Sequence, residues 1–279
     1  MCRWLAYSGT PILLEELLYK PRYSLIDQSQ HSRLGVETTN GDGFGVGWYG
    51  TDGVPRPVLF RGVGPAWGDV NLRELAGSVC SGLFLAHIRA STGTPVQQTN
   101  CHPFRYGSWL WVHNGAIRSF PVVKRDLVFA IDRAYYPHLD GSTDSEVMFH
   151  LALTFGLADD PVGAVERMVG FVESVGRAHG VADPVQMTVA TTDGDRVWAI
   201  RYSSEGRSRS LFFSTAVSAL RDLYPDNENL RRLSDDTRII VSEQLGELAG
   251  AWQPVPESSY GIVQDGPDVL GDFHPRLPG

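Results

Sequence analysis

A cysteine directly behind the initiator methionine, in Met1-Cys2-Arg3, becomes the N-terminal residue once that methionine is trimmed. Cysteine is small enough for the processing peptidase, so trimming is expected. The mature residue then carries a thiol and a free α-amine on one carbon. A thiol titrates near ~8.5 and an α-amine near ~7.7–8.0, so close to neutral pH the amine takes the thiol's proton at little cost. A nucleophile activated by its own chain terminus is a known catalytic arrangement.

If Cys2 attacks an amide carbonyl, the site needs donors for the developing oxyanion, each worth on the order of 3 kcal/mol in the transition state. Asn114-Gly115 supplies that chemistry: the asparagine offers an NH2, and the glycine lets its backbone amide approach closely. The same dipeptide also reads as a plain hairpin turn. An amino-acid end on the substrate presents a carboxylate and an ammonium, matched by an arginine fork and a carboxylate. Arg89, followed by Ser91-Thr92, fits the first role and Asp144 the second. Arg89 could equally be a structural ion pair, and Asp144 a first-turn acid stabilised by a helix dipole.

These residues fall at the ends of regular segments. Arg3 to Ser8 is strand-like, and Thr10-Pro11 reads as N-cap and first position of a helix through Lys20, ended by Pro21. Tyr23 to Thr39 is polar and aperiodic, hence a loop. The glycine-rich run Asn40 to Gly50 lacks the Lys-Ser/Thr of a phosphate-binding loop. It reads as a turn entering a strand, with glycines where another backbone passes close. Thr51-Asp52-Gly53 gives a hairpin turn and Pro57 to Arg61 the return strand.

Ser81 to Ala90 and Ser108 to His113 read as buried strands that end in polar residues, where sites are usually built. Thr143 to Glu146 fits a capping box ahead of a helix ending at Gly156, and Asp160-Pro161 opens a second helix ending at Gly180. A hairpin around Asp193-Gly194 follows. Arg209 to Ser214 and Thr237 to Ser242 are further strands, joined through the charged stretch Arg221 to Asp236. From about residue 251 a Pro/Gly-rich tail is expected to hug the surface. Strands, two helices and strands again predict one domain over 1–279, with layered sheets and helices outside.

Seven collinear blocks, MCRWLAYSG, NGDGFGVGWY, HIRASTG, NCHPF, WVHNGAI, GSTDSE and IIVSEQL, resemble the class II glutamine amidotransferases of the N-terminal-nucleophile hydrolase superfamily. The resemblance implies an α+β fold, a four-layer αββα sandwich of two antiparallel sheets. It implies Cys2 as nucleophile with its α-amine as base and Asn114 and Gly115 as oxyanion hole. Arg89 and Asp144, helped by Thr92, would grip the glutamyl α-carboxylate and α-ammonium, and Gly41 and Asp42 would form the glycine turn beside the nucleophile. Where sugar-phosphate members often have His after that Thr, this chain has Gly93, and within 279 residues their synthase domain is not expected. The likeness is to stand-alone members, including the γ-glutamyl hydrolases of ergothioneine synthesis and of glutathione breakdown.

The expected reaction is hydrolysis of the γ-amide of glutamine or a γ-glutamyl compound through a Cys2 thioester. The alternatives are a glutaminase subunit delivering ammonia to a partner synthase, and a non-catalytic glutamine-binding module of the same fold. The expected partners are thus a small-molecule substrate and either a synthase subunit or a second copy in a homodimer. A formal charge of −8 with 24 Lys+Arg gives no basic face for nucleic acid. Three cysteines among 279 residues suit a reducing compartment better than a disulfide framework. His87, His102, His113 and Cys101 fit no common zinc spacing, so no metal and no cofactor are expected. With no apolar run near the ~20 residues of a membrane span and no signal-peptide core, the chain reads as cytoplasmic.

Overall fold

β1 (Arg3–Leu13) is buried on both faces. Leu5 and Tyr7 enter one apolar cluster, Trp4 and Ala6 another. Successive side chains of a strand point to opposite faces, so this strand requires a layer on each side of it. The computed structural model describes residues 2–31, 39–50, 56–91, 93–246 and 248–279, and those layers are all present in it.

After β1 come α1 (Glu15–Leu18), α2 (Leu25–Gln30), β2 (Phe44–Trp48), β3 (Val58–Gly62), α3 (Val70–Ala76) and β4 (Cys80–Ile88). The middle of the chain forms β5 (Phe104–Tyr106), β6 (Trp109–Ile117), α4 (Phe120–Phe129), α5 (Asp144–Thr154) and α6 (Pro161–Ala178), then β7 (Val185–Thr192) and β8 (Val197–Ser203). The last third holds β9 (Phe212–Ser214), α7 (Val217–Leu223), α8 (Glu228–Arg232) and β10 (Arg238–Val241). It ends with β11 (Trp252–Pro254), β12 (Ser259–Val263) and β13 (Val269–Asp272).

The strands form two antiparallel sheets, β11-β9-β10-β1-β4-β2-β3 and β13-β12-β8-β7-β6-β5. Trp4, Ala6, Leu83 and Leu85 of the first sheet meet Leu110, Val112, Ala190 and Ala199 of the second. Helices α1 to α3 cover the outer face of the first sheet through Leu18, Leu25 and Leu72. Helices α4 to α6 cover the second through Leu127, Phe149 and Val169. Each buried aliphatic or aromatic side chain contributes roughly 1.5–3 kcal/mol, so three apolar interfaces hold the four-layer αββα sandwich together.

Several local expectations need correction. Thr10-Pro11 does not open a helix: β1 runs on through a register shift to pair Ile12 with Ser81 and Leu13 with Cys80. The Thr10 hydroxyl instead accepts from the Ser234 N–H at 2.8 Å, and the helix is the short α1. Within the supposed loop after Tyr23 lies α2, closed by a reciprocal cap between Ser24 and Asp27. That cap was readable as Ser-x-x-Asp. Two helices in the middle become three, because α4 precedes α5.

The capping box at Thr143 is half made. Thr143 accepts from the Glu146 N–H at 3.2 Å, but the Glu146 carboxylate turns to the N–H groups of Asp140 and Gly141, at 2.9 and 2.7 Å. The C-terminal segment is not a surface tail: β11 joins the first sheet, and β12 and β13 extend the second. Its prolines and glycines flank short strands that a composition count hides. The glycine run behaves as expected, since a Cβ on Gly45 would meet the His102 carbonyl oxygen at 2.2 Å. The expected turn at Thr51-Asp52-Gly53 falls outside the described residues, although β2 and β3 on either side of it do pair.

Candidate active site

Period-two alternation decides which side chains look into the space between the sheets. In β1 the even residues Trp4 and Ala6 face inward, and Cys2, just before the strand, continues that parity. In β4 the odd residues Leu83 and Leu85 face inward, which carries His87 and then Arg89 to the same side. In β6 the even residues Leu110 and Val112 face inward, and Asn114 follows. β1 starts where β4 ends, with Arg3 opposite Ile88, so the cysteine and the arginine share one end of the sandwich. They line a single cavity of about 120 Å³ with Asn114, Gly115, Asp144, Ser91, Thr94 and Arg209.

Cys2 is partly buried, and its Sγ lies 3.5 Å from both the N–H and the carbonyl oxygen of Ala90. Burial pushes the Cys2 thiol up, while the Ala90 N–H pulls the other way. A thiol held in this pocket therefore needs an adjacent base to become a nucleophile.

Asn114 and Gly115 sit inside β6 rather than in a turn. The pairing of β5 with β6 ends at Trp111, so one edge of β6 is open beyond it among the described residues. The Ile117 N–H leaves that edge for the Asp144 carboxylate, at 2.8 Å. The Arg118 N–H instead points back to the Pro184 carbonyl, at 2.7 Å. Backbone groups alternate sides along a strand, so the Gly115 N–H, two residues before Ile117, also leaves on the open edge. A Cβ at position 115 would meet the Gln186 carbonyl oxygen at 1.9 Å, so only glycine fits there.

Arg89 is buried, yet it meets only neutral acceptors. Its guanidinium donates to the Asp42 carbonyl at 3.1 Å, the Ser91 hydroxyl at 3.2 Å, the Thr94 hydroxyl at 2.7 Å and the Pro95 carbonyl at 3.1 Å. The fork is thus fixed in direction with its positive charge unneutralised. Asp144, at the start of α5, accepts from the Ile117 N–H and, at 2.7 Å, from the Ser145 N–H. Asn100 ties the two corners together: its amide donates to the Pro95 carbonyl at 2.9 Å and its oxygen accepts from the Ser142 N–H at 2.8 Å.

Gly41 and Asp42 do not line the cavity. Asp42 braces Arg89 from behind, because its carboxylate accepts from the Ser91 N–H at 2.8 Å and its own N–H donates to the Arg89 carbonyl at 3.1 Å. Thr92 lies outside the described residues. Three buried histidines lie at the site: His102 lines the cavity and stacks on His87, with ring centroids 4.1 Å apart, and a His87 ring nitrogen is 3.2 Å from the His113 carbonyl. Burial lowers His87 to about 3 and His102 well below its ordinary value, so both rings are neutral. Among the described residues no His, Cys, Asp or Glu group is placed to hold a metal. No helix there is long and apolar enough to cross a membrane. The sequence reading missed Thr94, Thr143 and Ser145, which sit beside its motifs, and Arg209, which sits beside none.

Two antiparallel sheets between helix layers, with Cys2 immediately before the central strand β1, make an αββα sandwich. Two solved structures share this fold along the chain: a glutamine phosphoribosylpyrophosphate amidotransferase from B. subtilis (TM-score 0.63, 15% identity) and an allosteric regulatory enzyme of purine biosynthesis (TM-score 0.66, 14% identity). Each match covers 99% of this chain and 50% of the other. Residues 23–273 match the family Glutamine amidotransferases class-II, and the chain belongs to it. A glutamine aminotransferase class-II domain protein from Silicibacter pomeroyi is 33% identical over 99% of this chain and all of its own, with a TM-score of 0.75. The probable glutamine amidotransferase DUG3 of Saccharomyces cerevisiae is 35% identical over 93% of this chain and 80% of its own. The gamma-glutamyl-hercynylcysteine sulfoxide hydrolase of Mycolicibacterium smegmatis is 32% identical over 70% and 80%.

Proposed function

We propose that the chain hydrolyses the γ-amide bond of a γ-glutamyl compound through a thioester on Cys2, releasing glutamate. The observation that carries this is the single cavity into which Cys2, Arg89, Asn114, Gly115 and Asp144 all project. The name of the hercynylcysteine sulfoxide relative, a γ-glutamyl hydrolase, supports the same reading.

In this reading the chain begins at Cys2 once Met1 is removed. The α-amine takes the thiol proton as Sγ attacks the γ-carbonyl. The negative charge that develops on the carbonyl oxygen is met by the Asn114 NH2 and the Gly115 N–H. Collapse breaks the C–N bond, the ammonium of Cys2 returns its proton to the leaving nitrogen, and the amine departs. Water then adds to the thioester, giving a proton to the same amine, and the second collapse frees glutamate and restores the thiol. The buried Arg89 fork takes the α-carboxylate and Asp144 the α-ammonium, which fixes the γ-carbon over the sulfur.

Intact-protein mass spectrometry together with assay of a Cys2→Ala variant tests this. The expected results are loss of the Met1 mass, a covalent adduct with a glutamine-mimicking electrophile, and no glutamate release from the variant. A retained Met1, or full activity in Cys2→Ala, would overturn the mechanism.

A further inference from the structure

The cavity holds a second cation that this reaction scheme does not use. Arg209 lines it together with Cys2, and no other side chain of the site explains its presence. Its Nε is shielded from solvent without a hydrogen-bond partner, and no hydrogen bond or ion pair reaches its guanidinium among the described residues. Its neighbour Arg3 differs sharply, being buried against Glu243. Burial, and then the charge of Arg3, holds Arg209 below its ordinary value, with Glu205 opposing. A guanidinium still remains charged at neutral pH.

The topology fixes where that charge lies. β1 is flanked by β4 on one side and β10 on the other. Arg89 follows β4. Arg209 precedes β9, and its neighbour Ser210 donates to the Ser242 carbonyl at 2.7 Å, while Ser242 accepts from the Trp4 N–H at 2.9 Å. The two arginines therefore stand on opposite flanks of Cys2, at the same end of the sheet. A glutamyl head held by Arg89 and Asp144 leaves the other flank to whatever is attached beyond the γ-carbonyl.

Resting on the γ-glutamyl hydrolase reading, we infer that Arg209 forms a leaving-group subsite that selects γ-glutamyl amides whose amine portion carries a carboxylate, such as γ-glutamyl amino acids and peptides, over glutamine. A carboxylate one or two bonds past the scissile nitrogen would complete a charge-assisted, fork-shaped contact that a bare amide cannot make.

The test compares glutamate release from γ-glutamylglycine and from γ-glutamylmethylamide, which differ by that carboxylate. Wild-type kcat/KM is expected to favour γ-glutamylglycine by at least about tenfold, the scale of one charge-assisted hydrogen bond. Arg209→Gln should bring the ratio close to one. Arg209→Lys, which keeps the charge and loses the fork, should fall between, and it serves as the decisive variant if Arg209→Gln does not fold. A wild-type ratio of one, a ratio unchanged by the substitution, or an equal loss on both substrates would overturn the assignment. Cys2-dependent cleavage of γ-glutamylmethylamide with no preference for the carboxylate would sink the Arg209 subsite alone. If neither compound yields glutamate, the hydrolase reading and the subsite fall together.

Discussion

Arg89 and Arg209 flank the same cysteine, and they are held in opposite ways. Arg89 is 3% exposed and makes four hydrogen bonds to neutral acceptors, three on its own loop and one to the Asp42 carbonyl. Arg209 is partly exposed and makes none among the described residues, with its Nε left bare. The first is a fork pre-set at one angle, suited to the part of the substrate common to every γ-glutamyl compound. The second can turn to meet a carboxylate whose position varies. Preorganisation at one end and tolerance at the other is what an enzyme needs when one half of its substrate is constant.

The sharpest way to break this comparison is to ask which buried cations the fold depends on. Removing one partner of a buried ion pair costs about 3–5 kcal/mol, so Glu243→Ala, which takes the carboxylate from Arg3, should lower stability by that amount in urea unfolding. Arg209→Ala should change it by under ~1 kcal/mol, since nothing in the fold is satisfied by that side chain. Equal losses would mean that Arg209 has a structural role. Next, Arg89→Ala should cut kcat/KM by roughly 30- to 5000-fold, the consequence of losing about 2–5 kcal/mol from a buried charge pair. The loss should be the same for γ-glutamylglycine and γ-glutamylmethylamide. A loss confined to one of them would mean that the two arginines share a task.

Between the arginines, Asn114→Ala removes the donor that the proposed mechanism needs only when the oxyanion forms. We expect kcat to fall about 10²–10³-fold with KM nearly constant. A rise in KM without a fall in kcat would place Asn114 with Arg89 in binding the glutamyl head.

The site residues were legible as polar residues at the ends of apolar strands, in Arg89 after LFLAHI and Asn114 after LWVH. Strand periodicity groups Cys2 with Trp4 and Ala6, Arg89 with Leu83 and Leu85, and Asn114 with Leu110 and Val112, but LFLA and LWV are apolar at every position, so only the packed sheets show which face looks inward. What the pattern could not show was that Asn114-Gly115 continues a strand. The dipeptide is a strong turn signal, and only the pairing of Gly115 with Met187 overrides it. Nor could it place Arg209, which lies in a stretch rich in Ser and Arg and reaches the cavity only because β9 and β10 bring the last third of the chain beside β1. Long-range pairing of this kind leaves no local mark. The strands beyond residue 251 were hidden for the same reason: β12 exists because β8 is there to pair with it.

The smallest expected effect concerns what keeps the head end rigid. Glu146, buried in α5, holds the Asp140 and Gly141 N–H groups next to Asp144. Burial pushes its carboxyl from 4.5 up to about 7, against the pull of those two donors. Between these values the folded chain keeps a proton that the unfolded chain releases, so the folded state binds more protons and stability falls as pH rises. The contribution is fully present below about 4.5, declines by at most about 1.4 kcal/mol per pH unit, and is spent above about 7. Urea unfolding at pH 5, 6, 7 and 8 should show that slope in the wild type and in Arg209→Ala alike. Glu146→Gln should flatten it, at some cost in stability, because its amide turns an NH2 toward one of the two N–H donors. A slope that survives in Glu146→Gln would assign the titration to another group and leave the rigidity of the Asp144 corner to the Asn100 bridge alone.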